Sequence, residues 1–376
     1  MTFTSWIEVL FVFAGALIAT IALTPLARTI ATRFDAIDYP DNRRVNKKPT
    51  PRMGGIAIFG GIIAGCLILA LGINLFNWQD PFKTFVGMNV NYWILALGLT
   101  IMFAVGIYDD IKNMKARYKL LGQILACTVV CASGLSISFI QNPFDPGQLI
   151  HFGILAWPIT IFYLVAFANV INLIDGLDGL ASGISCISAL TIAIYGILSG
   201  RIDAVVFSAI LAGCCLGFLK SNYHPAKIFM GDSGSLVLGL CLGIISLIAI
   251  ARAAVVFSLL VPLLAAGVPI TDTAVAIIRR KRAHEPVNAP DKGHIHHRLM
   301  DAGFSQVKTV WIMWGWTAVL SACGLAFAEL DGLAKPIALI LAASITGFAI
   351  FKLKLLNPVL KHYYHPRKRR KSVRKR

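Results

Sequence analysis

The acidic side chains best placed for chemistry come in three groups. Asp109 and Asp110 stand side by side at the end of the apolar run Phe103-Ala-Val-Gly-Ile-Tyr, and Lys112, Lys115, Arg117 and Lys119 follow them. Adjacent carboxylates repel each other unless a cation compensates. A helix C-terminus favours cations, so two acids at that place call for a metal, a catalytic role or a basic partner. In the second group, Asn169, Asn172, Asp175 and Asp178 recur at every third position, so neighbouring members share a helix face. The Asp175-Gly and Asp178-Gly steps suit a turn, but a turn leaves the two amides inside an apolar run unexplained. In the third, Phe229-Met-Gly231-Asp232-Ser233-Gly-Ser235 opens another apolar run. Asp232 reads there as an N-cap. The same geometry also suits a phosphate site in which the acid reaches a metal on the phosphate.

A fourth group is basic: Arg279-Arg280-Lys281-Arg282, then Asp291, Lys292, His294, His296, His297 and Arg298. Zinc sites usually add a cysteine or a carboxylate at suitable spacing. Magnesium and anionic phosphate fit better, with His294, His297 and Arg298 on one helical face as donors. Hard carboxylates with basic residues around them suit Mg2+, with Mn2+ as an alternative, and a phosphorylated substrate. The chemistry is phosphoryl transfer from a nucleotide-diphosphate donor to an acceptor in the membrane.

The elements that carry these groups are apolar. Hydrophobic residues make up 57% of the 376-residue chain and charged residues 14%, against roughly a quarter charged in soluble domains. Eleven stretches lack Asp, Glu, Lys and Arg: 9–27, 53–79, 84–108, 120–144, 146–174, 179–200, 204–219, 233–251, 253–271, 309–328 and 336–351. A bilayer core asks for about 20 apolar residues per helix, so the sequence predicts an all-α polytopic membrane protein of about eleven helices. Barrels would show alternating segments instead. With the N-terminus outside, 31 of the 35 Lys and Arg fall on the cytoplasmic side, leaving Lys83, Arg201, Arg252 and Lys335 outside. Short cytoplasmic loops hold the positive charge, so the C-terminus is expected inside. The chain divides into a membrane unit, 1–356, with its active site in cytoplasmic loops, and a basic tail, 357–376, suited to anionic lipid rather than nucleic acid. The first apolar run, with Glu8 at its start and basic residues after it, does not read as a cleaved signal. The eight cysteines form neither a Cys-x-x-Cys pair nor a zinc spacing.

Nearly everything polar lies on the inner side, which favours work on a cytosolic substrate over transport. A transporter has only Asp272, beside Pro269, in its favour. A CDP-alcohol phosphotransferase would need Asp-Gly-x-x-Ala-Arg, whereas Asp178-Gly-Leu-Ala181 runs into Ser182. An intramembrane prenyltransferase would need two Asp-x-x-x-Asp boxes, which Asp109-Asp110 does not supply.

From Pro51-Arg52-Met53-Gly54-Gly55 to His-Ile-His-His, the chain resembles the polyprenyl-phosphate N-acetylhexosamine-1-phosphate transferases of glycosyltransferase family 4. Within that family it looks like the bacterial enzymes that start O-antigen, common-antigen and teichoic acid synthesis. The resemblance implies a bacterial cytoplasmic membrane enzyme that moves N-acetylglucosamine-1-phosphate from UDP-GlcNAc to undecaprenyl phosphate. A UDP-MurNAc-pentapeptide donor is the alternative, and a homodimer is left open. It implies that Asp109 and Asp110 act on the lipid phosphate and near the metal, with Asp232 the principal metal ligand. Asn172, Asp175 and Asp178 match residues around the nucleotide, with catalytic roles for the two acids; Asn222 and Phe229 match those that hold and stack on uracil. Lys119 matches a phosphate-binding lysine. His294, His296 and His297 match histidines at the diphosphate, with Arg298 adjacent; the resemblance implies catalytic roles for His294 and His297 and substrate binding for His296 and Arg298. One departure is Asn46, where the family often has a histidine.

Overall fold

In the computed structural model the described residues are 3–40, 48–78, 80–81, 90–141, 145, 148–250, 259–286 and 293–357. Asn46, Asp291, Lys292 and the tail from residue 358 on lie outside them.

The architecture is all-α. Helices α1 (Phe3–Arg33), α2 (Gly55–Phe76), α3 (Tyr92–Lys112), α4 (Ala116–Ala132), α5 (Ala156–Ile174), α6 (Leu180–Leu198), α7 (Ile202–Asn222), α8 (Gly231–Ile250), α9 (Leu260–Ala265), α10 (Gly267–Arg282), α11 (Ile295–Asp301), α12 (Gln306–Glu329) and α13 (Ala334–Lys352) follow in order. Two antiparallel ribbons accompany them: β1 (Ile37–Asp38) with β2 (Thr50–Pro51), and β3 (Phe139–Gln141) with β4 (Leu149–His151).

Among the described residues nine helices are long and apolar enough to cross a membrane. The two remaining apolar stretches fold differently. The run 120–144 yields α4, whose 17 residues end at Ala132 before the β3–β4 ribbon. Of the run 253–271, the described residues from 259 on form α9 and the start of α10, which part at Ala266 between Pro262 and Pro269. Proline interrupts the backbone ladder of a helix, and apolarity alone does not register that.

The bundle is organised around α8. Its apolar window is 94% buried, against 11% for α13 and 22% for α1, so α8 is the axis and those two form the rim. Outward positions such as Leu10, Leu67, Trp93, Phe162 and Phe348 are exposed, as suits a surface solvated by hydrocarbon. Small residues let such helices approach, since lipid offers no hydrophobic drive between them. A Cβ at Gly106 of α3 would lie 2.4 Å from the Cα of Ser233, and one at Gly55 of α2 would lie 2.3 Å from the main-chain nitrogen of Gly234. Both neighbours are backbone and have no room to yield. All eight cysteines are free, seven of them buried.

Gly106→Ala should therefore lower the melting temperature in detergent, through an overpacking cost of about 1–3 kcal/mol. Gly347→Ala in α13, with nothing within 4 Å, should not lower it and should raise it slightly, since alanine favours a helix interior over glycine. Equal melting of the two variants would refute this account of the α3–α8 contact.

Candidate active site

The site is built where α3, α5 and α8 end or begin on the same side of the bundle. Asp110, on the last turn of α3, accepts hydrogen bonds from the main-chain N–H of Asp232 at 2.8 Å and of Ser233 at 3.1 Å. A carboxylate from a different helix thus caps α8, where the helix dipole favours negative charge. Gly231 makes this contact feasible: its φ is +71°, and a Cβ there would lie 2.6 Å from Asp110 Oδ2. The expected N-cap role of Asp232 is corrected accordingly, because Asp232 lies within the first turn of α8 and Asp110 supplies the cap.

Relieved of capping, the Asp232 carboxylate gathers side chains. It accepts from Lys119 Nζ at 2.7 Å and from Asn172 Nδ2, which also donates to Ser235 Oγ at 2.8 Å. Lys119 sits 3.0 Å from Asp109 Oδ2 as well, while Asp109 Oδ1 accepts from the N–H of Met114. The unfavourable pair of acids at the end of α3 is thereby compensated twice, by an ammonium and by a helix N-terminus. Asn169 pairs reciprocally with Gln123 of α4, at 3.2 and 2.7 Å, which accounts for an amide inside the apolar run of α5.

The second acidic group forms the loop between α5 and α6. Asp175 follows the last residue of α5, and burial, then the charges of Asp232, Asp110 and Asp178, push its carboxyl up to about 8. Asp178 Oδ2 accepts from the N–H of Ala226 at 3.1 Å and lies 2.7 Å from His224 Nδ1. Asn222 Oδ1 accepts from Gly179 N–H and Ser182 Oγ, both at 3.1 Å, and its Nδ2 donates to the Ile228 carbonyl. Asp178 and Asn222 therefore stitch this loop to the segment leading into α8.

The histidines divide. His294 precedes α11 and is buried, with its Nδ1 2.7 Å from Asp272 Oδ2; the N–H of Ile295 donates to Asp272 Oδ1 at 2.7 Å. His296 packs on Gly176, where a Cβ would lie 2.8 Å from the ring, and its Nδ1 has no hydrogen-bond partner. Burial, then the nearby His297 and His294 rings acting against Asp272, push His296 down to about 3. It is a neutral imidazole at ordinary pH. Arg298 turns away and donates to the Asn357 carbonyl at 3.0 Å.

These elements enclose a cavity of about 340 Å³. Asp110, Asn172, Asp175, Asp178, Asn222, Phe229, Asp232, His296 and His297 line it. Asp109 and Lys119 are not among its lining and stand behind Asp232; His294 and Arg298 are not among it either. The expectation that His294, His297 and Arg298 share one face is corrected, because His294 is the cap residue of α11 and is spent on Asp272. The cavity also takes Asp38, Arg52 and Gln306. Arg52 stood in a quoted motif without a role, and nothing local marks the other two.

Five carboxylates and one arginine line the cavity. Such a wall repels a phosphate unless a cation joins it, and its hard oxygen donors suit Mg2+. Among the described residues no three His, Cys, Asp or Glu side chains converge on a metal position. This still fits Mg2+, which is usually held by one or two carboxylates together with water and substrate phosphates.

A sequence profile described as Glycosyl transferase family 4 matches residues 92–250, the segment from α3 to α8 that carries Asp109, Asp110, Asn172, Asp175, Asp178 and Asp232. The chain is 39% identical over 308 residues, 82% of each protein, to a probable undecaprenyl-phosphate N-acetylglucosaminyl 1-phosphate transferase of Bacillus subtilis. The chain belongs to glycosyl transferase family 4. The chain is also 37% identical, over 84% of its length and 80% of that protein's, to a decaprenyl-phosphate N-acetylglucosaminephosphotransferase of Mycolicibacterium smegmatis. A phospho-N-acetylmuramoyl-pentapeptide-transferase of Desulforamulus reducens is 35% identical over 75% of this chain and 83% of its own.

Two outcomes test the geometry without turnover. Asp175 binds its proton more tightly in the folded chain than in the unfolded one, so metal-free protein should lose stability as pH rises from 3.8 toward about 8. Asp175→Asn should flatten that decline and melt above wild type most clearly at pH 8. Parallel melting curves across the pH range would refute the assignment. Asp272→Ala orphans the His294 Nδ1–H and the Ile295 N–H, at about 1–3 kcal/mol each. It should lower the melting temperature and open residues 293–305 to limited proteolysis; an unchanged cleavage pattern would argue against the latch.

Proposed function

We propose that this protein transfers N-acetylglucosamine-1-phosphate from UDP-GlcNAc to undecaprenyl phosphate, releasing UMP and starting a cell-envelope polysaccharide. The observation that carries the reading is the 39% identity, over 82% of each chain, to a relative named for that transfer. The cavity supports it: acids, an arginine and two histidines gathered at the ends of membrane helices suit a soluble diphosphate donor and a lipid acceptor.

The reaction is an in-line displacement. An oxygen of the lipid phosphate forms a bond to the phosphorus next to the sugar, the bond from that phosphorus to the bridging oxygen breaks, and UMP leaves. Phe229 offers a half-buried ring at the cavity wall for the base, and Asn172 and Asp175 border the same space. Asn222 contributes chiefly by holding the wall, since both ends of its amide are engaged by the protein. Of the groups assigned to Mg2+, Asp232 lines the cavity, Asp110 is drawn to the N-terminus of α8, and Asp109 is drawn to Lys119. Asp232, with Asp175 or Asp110, would hold the ion. When bound, Mg2+ or Mn2+ would neutralise the charge that builds on the diphosphate. Asp109, engaged by Lys119 and the Met114 N–H, suits a charge-setting role better than a phosphorylated intermediate. A labelled phosphoenzyme trapped without acceptor would sink the single-step route.

The same reading assigns the protein to the bacterial cytoplasmic membrane, with about eleven membrane segments, the N-terminus outside and the cavity facing the cytoplasm. The distribution of 31 of 35 basic residues supports it. The second donor, UDP-MurNAc-pentapeptide, is favoured only by the relative that is 35% identical over 75% of the chain.

Purified protein with Mg2+, undecaprenyl phosphate and each donor should release UMP with UDP-GlcNAc and not with UDP-MurNAc-pentapeptide. Asp232→Ala should cut the rate at least about 100-fold. Release that does not need the lipid, or the opposite donor preference, would overturn the proposal.

A further inference from the structure

Arg52 is counted above only as a charge in the cavity wall, yet its surroundings single it out. Its main chain is fixed from two sides. The Arg52 N–H donates to the Ala36 carbonyl at 2.9 Å, and the next strand edge is Phe229, whose N–H donates to the Pro51 carbonyl at 2.8 Å. The side chain crosses to the end of α3, where Nη2 donates to the Asp110 carbonyl at 2.9 Å and to Asn113 Oδ1 at 2.6 Å. Both acceptors are uncharged. Among the described residues no carboxylate forms an ion pair with Arg52, and its buried Nε has no hydrogen-bond partner.

The charge inventory gives this weight. Arg52 is the sole lysine or arginine lining the cavity among the described residues. Lys119 is committed between Asp109 and Asp232, and Arg298 to a carbonyl. His296 is neutral at ordinary pH. A guanidinium anchored by one terminal nitrogen, with its remaining donors free of any carboxylate, is pre-organised for phosphate oxygens, which it takes in a planar, two-point manner. We propose that Arg52 is a substrate-binding residue that holds a phosphate oxygen in the cavity, either on the donor's diphosphate or on the lipid phosphate. This rests on the transferase reading and assigns that site its fixed positive charge.

The test uses the full chain in detergent with Mg2+. Arg52→Gln removes the charge while keeping a side-chain N–H for the Asp110 carbonyl, and Arg52→Lys keeps the charge but not the fork. Steady-state KM is measured separately for UDP-GlcNAc and for undecaprenyl phosphate. Binding of UDP and of farnesyl phosphate is measured by calorimetry. Arg52→Gln is expected to raise one KM and weaken the matching probe at least 10-fold at an unchanged melting temperature, with Arg52→Lys recovering part of the loss. The affected probe identifies the phosphate. A loss of kcat or of melting temperature with both KM values and both probe affinities unchanged would reduce Arg52 to a brace for α3 and overturn the proposal. If Arg52→Gln does not fold, Arg52→Lys decides: a raised KM supports the proposal, and two unchanged values overturn it. Absence of lipid-dependent UMP release from wild type would sink the transferase reading, while the two binding probes would still decide Arg52.

Discussion

One carboxylate sets the position of the cavity floor. Asp110 of α3 holds two of the free N–H groups in the first turn of α8, the most deeply buried of the nine candidate membrane spans among the described residues. In an apolar surrounding an uncapped helix end is expensive, and a charge-assisted bond there is correspondingly firm. The bond ties the acidic motif of one segment to the glycine-rich motif of another, 122 residues on. It also releases Asp232 from capping its own helix and turns it to Lys119 and Asn172. Without this cross-helix cap the cavity would lose its floor.

The close helix approach serves the same end. Gly55 and Gly106 bring α2 and α3 against the Ser233–Gly234 backbone, so the floor is made of main chain and short side chains. The walls are different in kind. The β2 edge with Arg52, the Asp178–Asn222 stitch and the Asp272–His294 latch are polar constructions on connecting segments. A compact base of main chain with polar walls gives the cavity a fixed shape.

Much of this was legible in the residues. Apolar runs announced the helices because lipid imposes length and composition directly, and the acidic and histidine motifs pointed to residues that line one cavity because polar groups are rare in such a chain. The break at Ala266 and the short α4 were missed because apolarity does not encode where a ladder is interrupted. The exchange of roles between Asp110 and Asp232 was hidden because capping is satisfied through space, and a sequence shows only the local candidate. His294 looked like His296 and His297; its diversion to Asp272, 22 residues earlier, depends on how α10 meets α11. Asp38, Arg52 and Gln306 reach the cavity through tertiary placement alone.

Lys119 has a consequence for biogenesis. Asp109 and Asp232 lie at the ends of apolar segments that must leave the insertion machinery and meet in a medium that tolerates bare charge poorly. The cation that reconciles them is covalently part of the chain, ten residues beyond Asp109, and bonds to both. The acidic centre thus carries its counter-charge within the chain, so the bundle can close around it without an added ion.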